Sequence, residues 1–156
     1  MVKPNKLRII GNFLIGMAIV SFAACGPSVE LTDVQYAEPI ESVLEPDANG
    51  DVEDPRTGLS FNMLAIQEEE TGDGSAVNTS EIRVIRNTEG YYFITAPGYR
   101  NVYVFESIES GMDLYEVIEV DTNGIANPAF NQAAPDIELL DGTDASYRLS
   151  KDGIVN

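Results

Sequence analysis

From residue 59 onward, short runs of hydrophobic residues alternate with turn-forming residues, a pattern typical of β-strands. The runs are rich in Val, Ile, Tyr and Phe, and Gly, Pro, Asn or Asp residues separate them. In one run, Val102 and Val104 would lie on one face of a strand, and Tyr103 and Phe105 on the other. Two apolar faces are typical of a strand in a sandwich or at an interface. The predicted strand runs are 59–66, 81–87, 91–96, 101–107 and 113–120, with two weaker ones at 137–140 and 146–150.

Two of these runs predict a hairpin, because Pro97 and Gly98 supply a tight turn between 91–96 and 101–107. The run at 113–120 also fits a helical stripe, but its β-branched residues and the Thr-Asn-Gly turn that follows favour a strand. We therefore predict a mainly β fold, a small antiparallel β-sandwich or barrel-like domain, over residues 59–156.

Residues 25–58 have a different composition, with several prolines, many acidic residues and few clustered hydrophobic ones. A segment of low hydrophobicity and high like charge buries too little apolar surface to offset the entropy of ordering it. We predict an acidic, flexible tether here. The alternatives are a first strand around 29–34 and a short helix near 39–44.

The first 24 residues predict an export signal. Lys3, Lys6 and Arg8 form a basic start, and residues 9–24 are apolar except for Asn12 and Ser21. Because a spanning helix needs about 20 apolar residues, this run is short for a membrane span.

The export signal ends in Phe22-Ala23-Ala24-Cys25, which contains the only cysteine of the chain. This stretch resembles the lipobox of bacterial lipoprotein precursors, although that family usually has Leu where this chain has Phe22. The resemblance implies that residues 1–24 are a signal peptide that is cleaved off. It also implies that the Cys25 sulfur receives a diacylglycerol and that fatty acids such as palmitate anchor the protein. Gly26 after the cysteine implies the outer membrane.

Charge and residue types exclude several function classes. All 26 acidic residues but only six of the nine Lys and Arg residues follow residue 24, which gives that part a formal charge of −20. Such a surface repels the phosphates of nucleic acids. The chain has no histidine, so the commonest general base and His-based zinc sites are absent from the sequence. We predict a protein that is not an enzyme.

One segment predicts a calcium site. Asp47, Asn49, Asp51 and Glu53 place oxygen ligands at every second position around Gly50, and calcium takes six to eight oxygen ligands. The segment resembles the start of an EF-hand loop but lacks the final bidentate glutamate. The alternative is that Asn-Gly forms a tight turn, both here and in the similar motif at 121–124, which Asn127 follows.

Tyrosines offer a second candidate site, a face that could stack on glycans or contact another protein. They are Tyr91, Tyr92, Tyr99, Tyr103, Tyr115 and Tyr147. The alternative is that they are ordinary sheet residues. The stretch at 90–104 also weakly resembles a strand pair of transthyretin-like or carboxypeptidase-regulatory-like sandwich modules.

Together these features predict a lipid-anchored protein of the cell envelope whose acidic β-domain is an interaction or structural module. Its expected partners are the membrane, through the lipid, and another envelope protein, with no cofactor other than the lipid. The alternatives are a lipoprotein that binds calcium or a glycan and, third, an envelope enzyme that uses carboxylates.

Overall fold

The computed structural model describes residues 28–29, 40–109, 111–142 and 145–155, with only the backbone described at 28–29. The described chain is mainly β, and its one helix, α1, spans Leu64–Thr71. The strands are β1 (Ser28–Val29), β2 (Ser42–Leu44), β3 (Asp51–Asp54), β4 (Leu59–Asn62), β5 (Ile82–Arg86), β6 (Tyr92–Thr95), β7 (Asn101–Ile108), β8 (Gly111–Glu119), β9 (Pro128–Ala133), β10 (Asp136–Asp141), β11 (Ala145–Ser150) and β12 (Gly153–Ile154). The predicted signal peptide and Cys25 lie outside the described residues.

The described strands form three antiparallel sheets. The central sheet has six strands in the order β1-β8-β7-β6-β5-β2, and a second sheet has four in the order β12-β11-β10-β9. The third sheet is the hairpin of β3 and β4. Within the described residues each sheet is open, with two edge strands, so the domain is sandwich-like. The prediction of a small, mainly β, antiparallel domain is confirmed.

The central sheet is buried on both faces. We call the cluster on one face the helix-side core, because it includes residues of α1 and of the β3–β4 hairpin. The cluster on the other face is the sheet-side core, because it includes residues of the four-stranded sheet. The helix-side core contains Leu44, Val52, Leu59, Phe61, Met63, Ile66, Ile82, Val84, Tyr92, Ile94, Ala96, Tyr99, Tyr103, Phe105 and Met112. The sheet-side core contains Ile85, Phe93, Val102, Val104, Ile118, Ile125, Phe130, Ile137, Leu139 and Leu149.

Strand β7 confirms the prediction of a strand with two apolar faces. Its Val102 and Val104 belong to the sheet-side core, and its Tyr103 and Phe105 belong to the helix-side core. All four side chains are fully buried. Their alternation is the two-residue period of a strand, and it places β7 inside the sandwich with its neighbours β6 and β8.

The folded domain begins earlier than the sequence predicted. Residues 40–58 were predicted as part of a tether, but β2 pairs with β5 and β3 pairs with β4. Leu44 and Val52 are buried in the helix-side core. The physical reason is that these short strands are stabilised by long-range contacts that local composition does not reveal: β2 pairs with the distant β5, and Val52 of the acidic β3 packs into the core. The alternative of a helix near 39–44 is also wrong, since Ser42–Leu44 is a strand.

The predicted strand at 59–66 is half strand and half helix. Strand β4 ends at Asn62, and α1 begins at Leu64, where Asn62 Oδ1 accepts the Leu64 N–H at 3.0 Å. Residues 64–70 are strong helix formers such as Leu, Ala, Gln and Glu. The helix ends at Gly72, whose left-handed backbone caps it while its N–H donates to the Glu68 carbonyl. Among the described residues, no helix is long and apolar enough to cross a membrane.

The predicted hairpin between β6 and β7 is confirmed, and a second turn docks against it. The Tyr99 N–H donates to the Ala96 carbonyl at 3.1 Å and so closes the Pro97-Gly98 turn. Gly98 also donates its N–H to Ile125, the residue after the turn at 121–124. Gly124 has φ +90°, and a Cβ there would lie 2.7 Å from the Gly98 carbonyl oxygen. Only glycine therefore lets these two turns approach so closely.

Candidate functional site

The six tyrosines of the predicted binding face do not share one surface. Tyr92, Tyr99 and Tyr103 are buried in the helix-side core. Tyr91 and Tyr147 are half-buried against the sheet-side core, and Tyr115 is 38% exposed. The hypothesis of a single tyrosine face is therefore wrong, and only the second group can contact a ligand.

Two of the surface tyrosines form a cluster with neighbouring charges. We call Tyr91, Tyr115, Lys151 and Asp152 the tyrosine–lysine cluster. The Tyr91 and Tyr115 rings meet edge to face, with their centroids 5.0 Å apart. Lys151 Nζ lies 5.7 Å from the Tyr91 centroid and 5.2 Å from the Tyr115 centroid, within the range of a cation–π interaction. Hydrogen bonds from Lys151 to Asp152 and to the Tyr115 hydroxyl fix the ammonium there and raise its pKa.

A bulge in β8 explains why Tyr115 reaches this surface. Val104 of β7 pairs with Glu116, but the next residue, Phe105, pairs with Leu114. Tyr115 is therefore an extra residue without a partner on β7, and such bulges redirect a side chain. Its hydroxyl donates to Asp152 Oδ1 at 3.0 Å and so connects β8 to the turn between β11 and β12.

A surface depression also has Tyr91 in its lining. It has a volume of about 330 Å³ and is lined by Arg86, Glu89, Gly90, Tyr91, Glu106 and Ser107. These residues come from the end of β5, the β5–β6 turn and the exposed end of β7. We call it the Arg86–Ser107 depression. Its lining combines a cation, two carboxylates, a hydroxyl and an aromatic ring.

The β5–β6 turn that carries three of these residues is held by a buried asparagine. Asn87 is 2% exposed, and its Oδ1 accepts the N–H groups of Glu89 at 3.1 Å and of Tyr91 at 2.9 Å. The Asn87 N–H in turn donates to the Tyr91 carbonyl. Gly90 has φ +101°, and a Cβ there would lie 3.0 Å from Arg86 Nη2. Glycine therefore leaves the room that the Arg86 guanidinium occupies.

The predicted calcium ligands lie in and after the turn between β2 and β3. Asp47 Oδ1 accepts the N–H groups of Asp51 at 2.9 Å and Asn49 at 2.8 Å, and these bonds hold its pKa below the ordinary value. Asp51 Oδ1 accepts from Asn62 on β4. Glu53 is an exposed residue of β3.

These contacts agree with the turn alternative, in which an aspartate closes the turn with its own carboxylate. The motif at 121–124 does the same, because Asp121 Oδ1 accepts the Asn123 N–H at 2.8 Å. No group of three or more His, Cys, Asp or Glu residues within the described ranges is arranged to hold a metal ion. Calcium binding at Asp47, Asn49, Asp51 and Glu53 stays a prediction.

Sequence reasoning missed two buried carboxylates. Glu70 of α1 is 6% exposed and accepts four hydrogen bonds: from the Arg100 N–H (2.8 Å), Arg100 Nε (3.3 Å), Asn101 Nδ2 (2.8 Å) and the Tyr103 hydroxyl (2.9 Å). Burial acts to raise its pKa, but these hydrogen bonds outweigh burial and hold the pKa below its ordinary value. This glutamate fastens the helix to the central sheet. Because it lies in the run Glu68-Glu69-Glu70, the sequence alone predicts it to be a surface charge.

Asp54 is the second buried carboxylate, at 1% exposure. It accepts hydrogen bonds from the Ser42 hydroxyl and, at 2.9 Å, from the Arg56 N–H. Burial acts to raise the pKa of Asp54, but these bonds together hold it below the ordinary value. Arg56 also donates to the Ser42 hydroxyl at 2.6 Å. The group joins β2 to the β3–β4 hairpin, which is a structural role.

Comparisons with known proteins do not extend this picture. No family model, curated protein or solved structure matches the chain significantly. The candidate site is therefore the exposed surface formed by the tyrosine–lysine cluster and the Arg86–Ser107 depression, as judged from its own geometry.

Proposed function

We propose that this protein is a lipid-anchored component of the bacterial cell envelope, held at the outer membrane, and that its β-domain is a non-catalytic interaction module. The observation that carries the proposal is the sequence Phe22-Ala23-Ala24-Cys25 after a basic start and a short apolar run. The resemblance to a lipobox assigns Cys25 a covalent lipid. One acyl chain binds a membrane only marginally, whereas two or more anchor a protein stably.

The described domain supports the second half of the proposal. Two of its buried carboxylates, Glu70 and Asp54, are engaged by neighbouring donors and are inaccessible to a substrate. The surface, in contrast, carries exposed aromatic and charged side chains in the tyrosine–lysine cluster. Aromatic residues with polar edges are enriched in binding surfaces. Binding is thus the activity that this arrangement favours.

Acylation of Cys25 tests the anchor directly. The full chain and its Cys25→Ala variant are produced in a Gram-negative host that is fed a labelled fatty acid. We expect the wild-type protein to carry the label, to lie in the membrane fraction and to have a mass that matches an acylated chain beginning at Cys25. The variant should carry no label, because the sulfur that starts the modification is absent.

Two controls keep this result interpretable. Ser21→Ala changes a neighbouring residue outside the lipobox and should leave labelling unchanged. A protein attached to the membrane through an uncleaved signal peptide would lack the fatty-acid label, whereas a lipid-anchored protein carries it. A wild-type protein that is unlabelled and soluble would overturn the proposal.

A further inference from the structure

We propose that the Arg86–Ser107 depression binds an uncharged saccharide and that the Tyr91 ring is its stacking platform. The inference deepens the proposed interaction module by naming its ligand class. It rests on that proposal only for the role of the β-domain as an interaction module. The depression itself belongs to the folded domain and needs no lipid.

The lining of the depression matches the chemistry of a sugar. A sugar ring presents hydroxyl groups, which both donate and accept hydrogen bonds, and apolar C–H faces. The depression offers Arg86 as a donor, Glu89 and Glu106 as acceptors, and Ser107 as both. Tyr91 adds the only aromatic ring among the six lining residues. A volume of about 330 Å³ is at the small end of the range for ligand sites and matches a short saccharide.

The Tyr91 platform is held in place before any ligand arrives. The Tyr91 N–H is bound by the buried Asn87 side chain, and its ring is braced edge to face by Tyr115. Tyr115 is fixed in turn through its hydroxyl to Asp152. A side chain that is already ordered loses little conformational entropy on binding, which favours affinity.

The charges around the depression favour an uncharged ligand. Two carboxylates face one guanidinium in the depression, and the part of the chain beyond residue 24 has a formal charge of −20, so an anionic ligand would be repelled. A cationic ligand would compete with Lys151, whose ammonium already lies near both tyrosine rings. An uncharged ligand avoids both conflicts and still uses every polar group.

The test is binding of the full chain, purified in mild detergent, to an array of neutral oligosaccharides that covers α- and β-glucans, mannans and chito-oligosaccharides. The strongest binder is then titrated by calorimetry. We expect Tyr91→Ala to weaken binding about tenfold or more, because it removes the platform. Glu106→Gln should weaken it about fivefold, since a charged acceptor forms the stronger hydrogen bond.

Glu106 is exposed, so Glu106→Gln keeps the test valid even where Tyr91→Ala disturbs folding. The matched control is Glu119→Gln, which changes an exposed glutamate at the last residue of β8, outside the depression, and should bind like the wild type. Absence of neutral-sugar binding, binding that both variants leave unchanged, or stronger binding of spermidine or of uronic-acid oligosaccharides would overturn the inference. The Cys25→Ala variant should bind as the wild type does, so failure of the lipid anchor and failure of the saccharide site are separate results.

Discussion

The two hydrophobic clusters that flank the central sheet differ in composition: the sheet-side core contains only aliphatic residues and phenylalanine, whereas the helix-side core includes three tyrosines and borders the buried Glu70. The sheet-side core packs the central sheet against the four-stranded sheet. The helix-side core is covered by a two-turn helix and a small hairpin, and there Glu70 and Asp54 bind the covering elements to the rest of the domain. The difference teaches that a short helix, which contributes only Ile66 to the core, is fixed by buried polar contacts.

The largest effect is expected in the sheet-side core. Phe93 is fully buried there, and Phe93→Ala should lower the free energy of unfolding by about 3–5 kcal/mol through lost burial and the cavity that remains. Because that cluster contains no titratable side chain, the loss should be the same at pH 7 and pH 4. Urea unfolding at the two pH values measures it. A loss that shrinks strongly at pH 4 would contradict the contrast between the two cores.

Glu70→Gln should have a smaller effect, and one that depends on pH. At pH 7 we expect a loss of about 1.5–3 kcal/mol, since the variant weakens hydrogen bonds to a buried charge. The native pKa of Glu70 lies below its ordinary value of 4.5. The stabilisation by the carboxylate is therefore complete above pH 4.5 and is lost as the pH falls through the native pKa. Urea unfolding from pH 7 downward should show the variant and the wild type converging below pH 4.5.

The control for this prediction is Glu69→Gln, which changes an exposed glutamate on the same helix. It should behave as the wild type at every pH, since an exposed residue loses no buried contact. Asp54 also has a lowered pKa, so the wild type and the Glu70→Gln variant both become less stable in acid. Only the difference in unfolding free energy between these two proteins reports on Glu70. A difference that does not change with pH would mean that Glu70 stabilises the helix by shape and not by charge.

The sheet-side core and the central strands were predictable from sequence because their signal is local. Strand β7 shows it best, with four buried residues that alternate between the two faces at the two-residue period of a strand. The hairpin turn at Pro97-Gly98 was predictable for the same reason, since its chemistry lies in adjacent residues. The additional strand β9 was missed, because its run Pro128–Ala133 contains only one large hydrophobic residue, Phe130.

Helix α1 was not predictable from sequence, because its buried face is half polar. Four side chains are buried at helical spacing, those of Met63, Ile66, Gln67 and Glu70. Gln67 and Glu70 are polar, so the sequence alone predicts them at the surface. Gln67 is buried because it binds the loop that follows the helix: it donates to the Asp73 and Ala76 carbonyls and accepts the Asn78 N–H. Such partners are known only once the chain is folded, and hydrophobic periodicity cannot find them.

The candidate site was predictable in part. Tyrosine content pointed to a binding surface, but burial of Tyr92, Tyr99 and Tyr103 divides the set. Neighbours in sequence differ here, as Tyr91 lies at the surface and Tyr92 in the helix-side core. Tyr91 directly precedes β6 and Tyr92 is its first residue, so the alternation of an extended chain accounts for that difference. The exposure of Tyr115, in contrast, depends on a bulge that the sequence does not mark.

The smallest effect comes from a matched pair that compares packing on the two faces. Ile85 lies in the sheet-side core and Ile94 in the helix-side core, on the adjacent strands β5 and β6, and each is at most 2% exposed. If both cores are close-packed, Ile85→Val and Ile94→Val should each lower the free energy of unfolding by about 0.5–1.5 kcal/mol. Urea unfolding at pH 7, with unchanged dependence on denaturant, measures both. The cost of deleting a methyl group falls where the surroundings can collapse around the space it leaves. A clearly smaller loss for Ile94→Val would therefore mean that the helix-side core is more loosely packed, and that α1 and the β3–β4 hairpin are held mainly by their polar contacts.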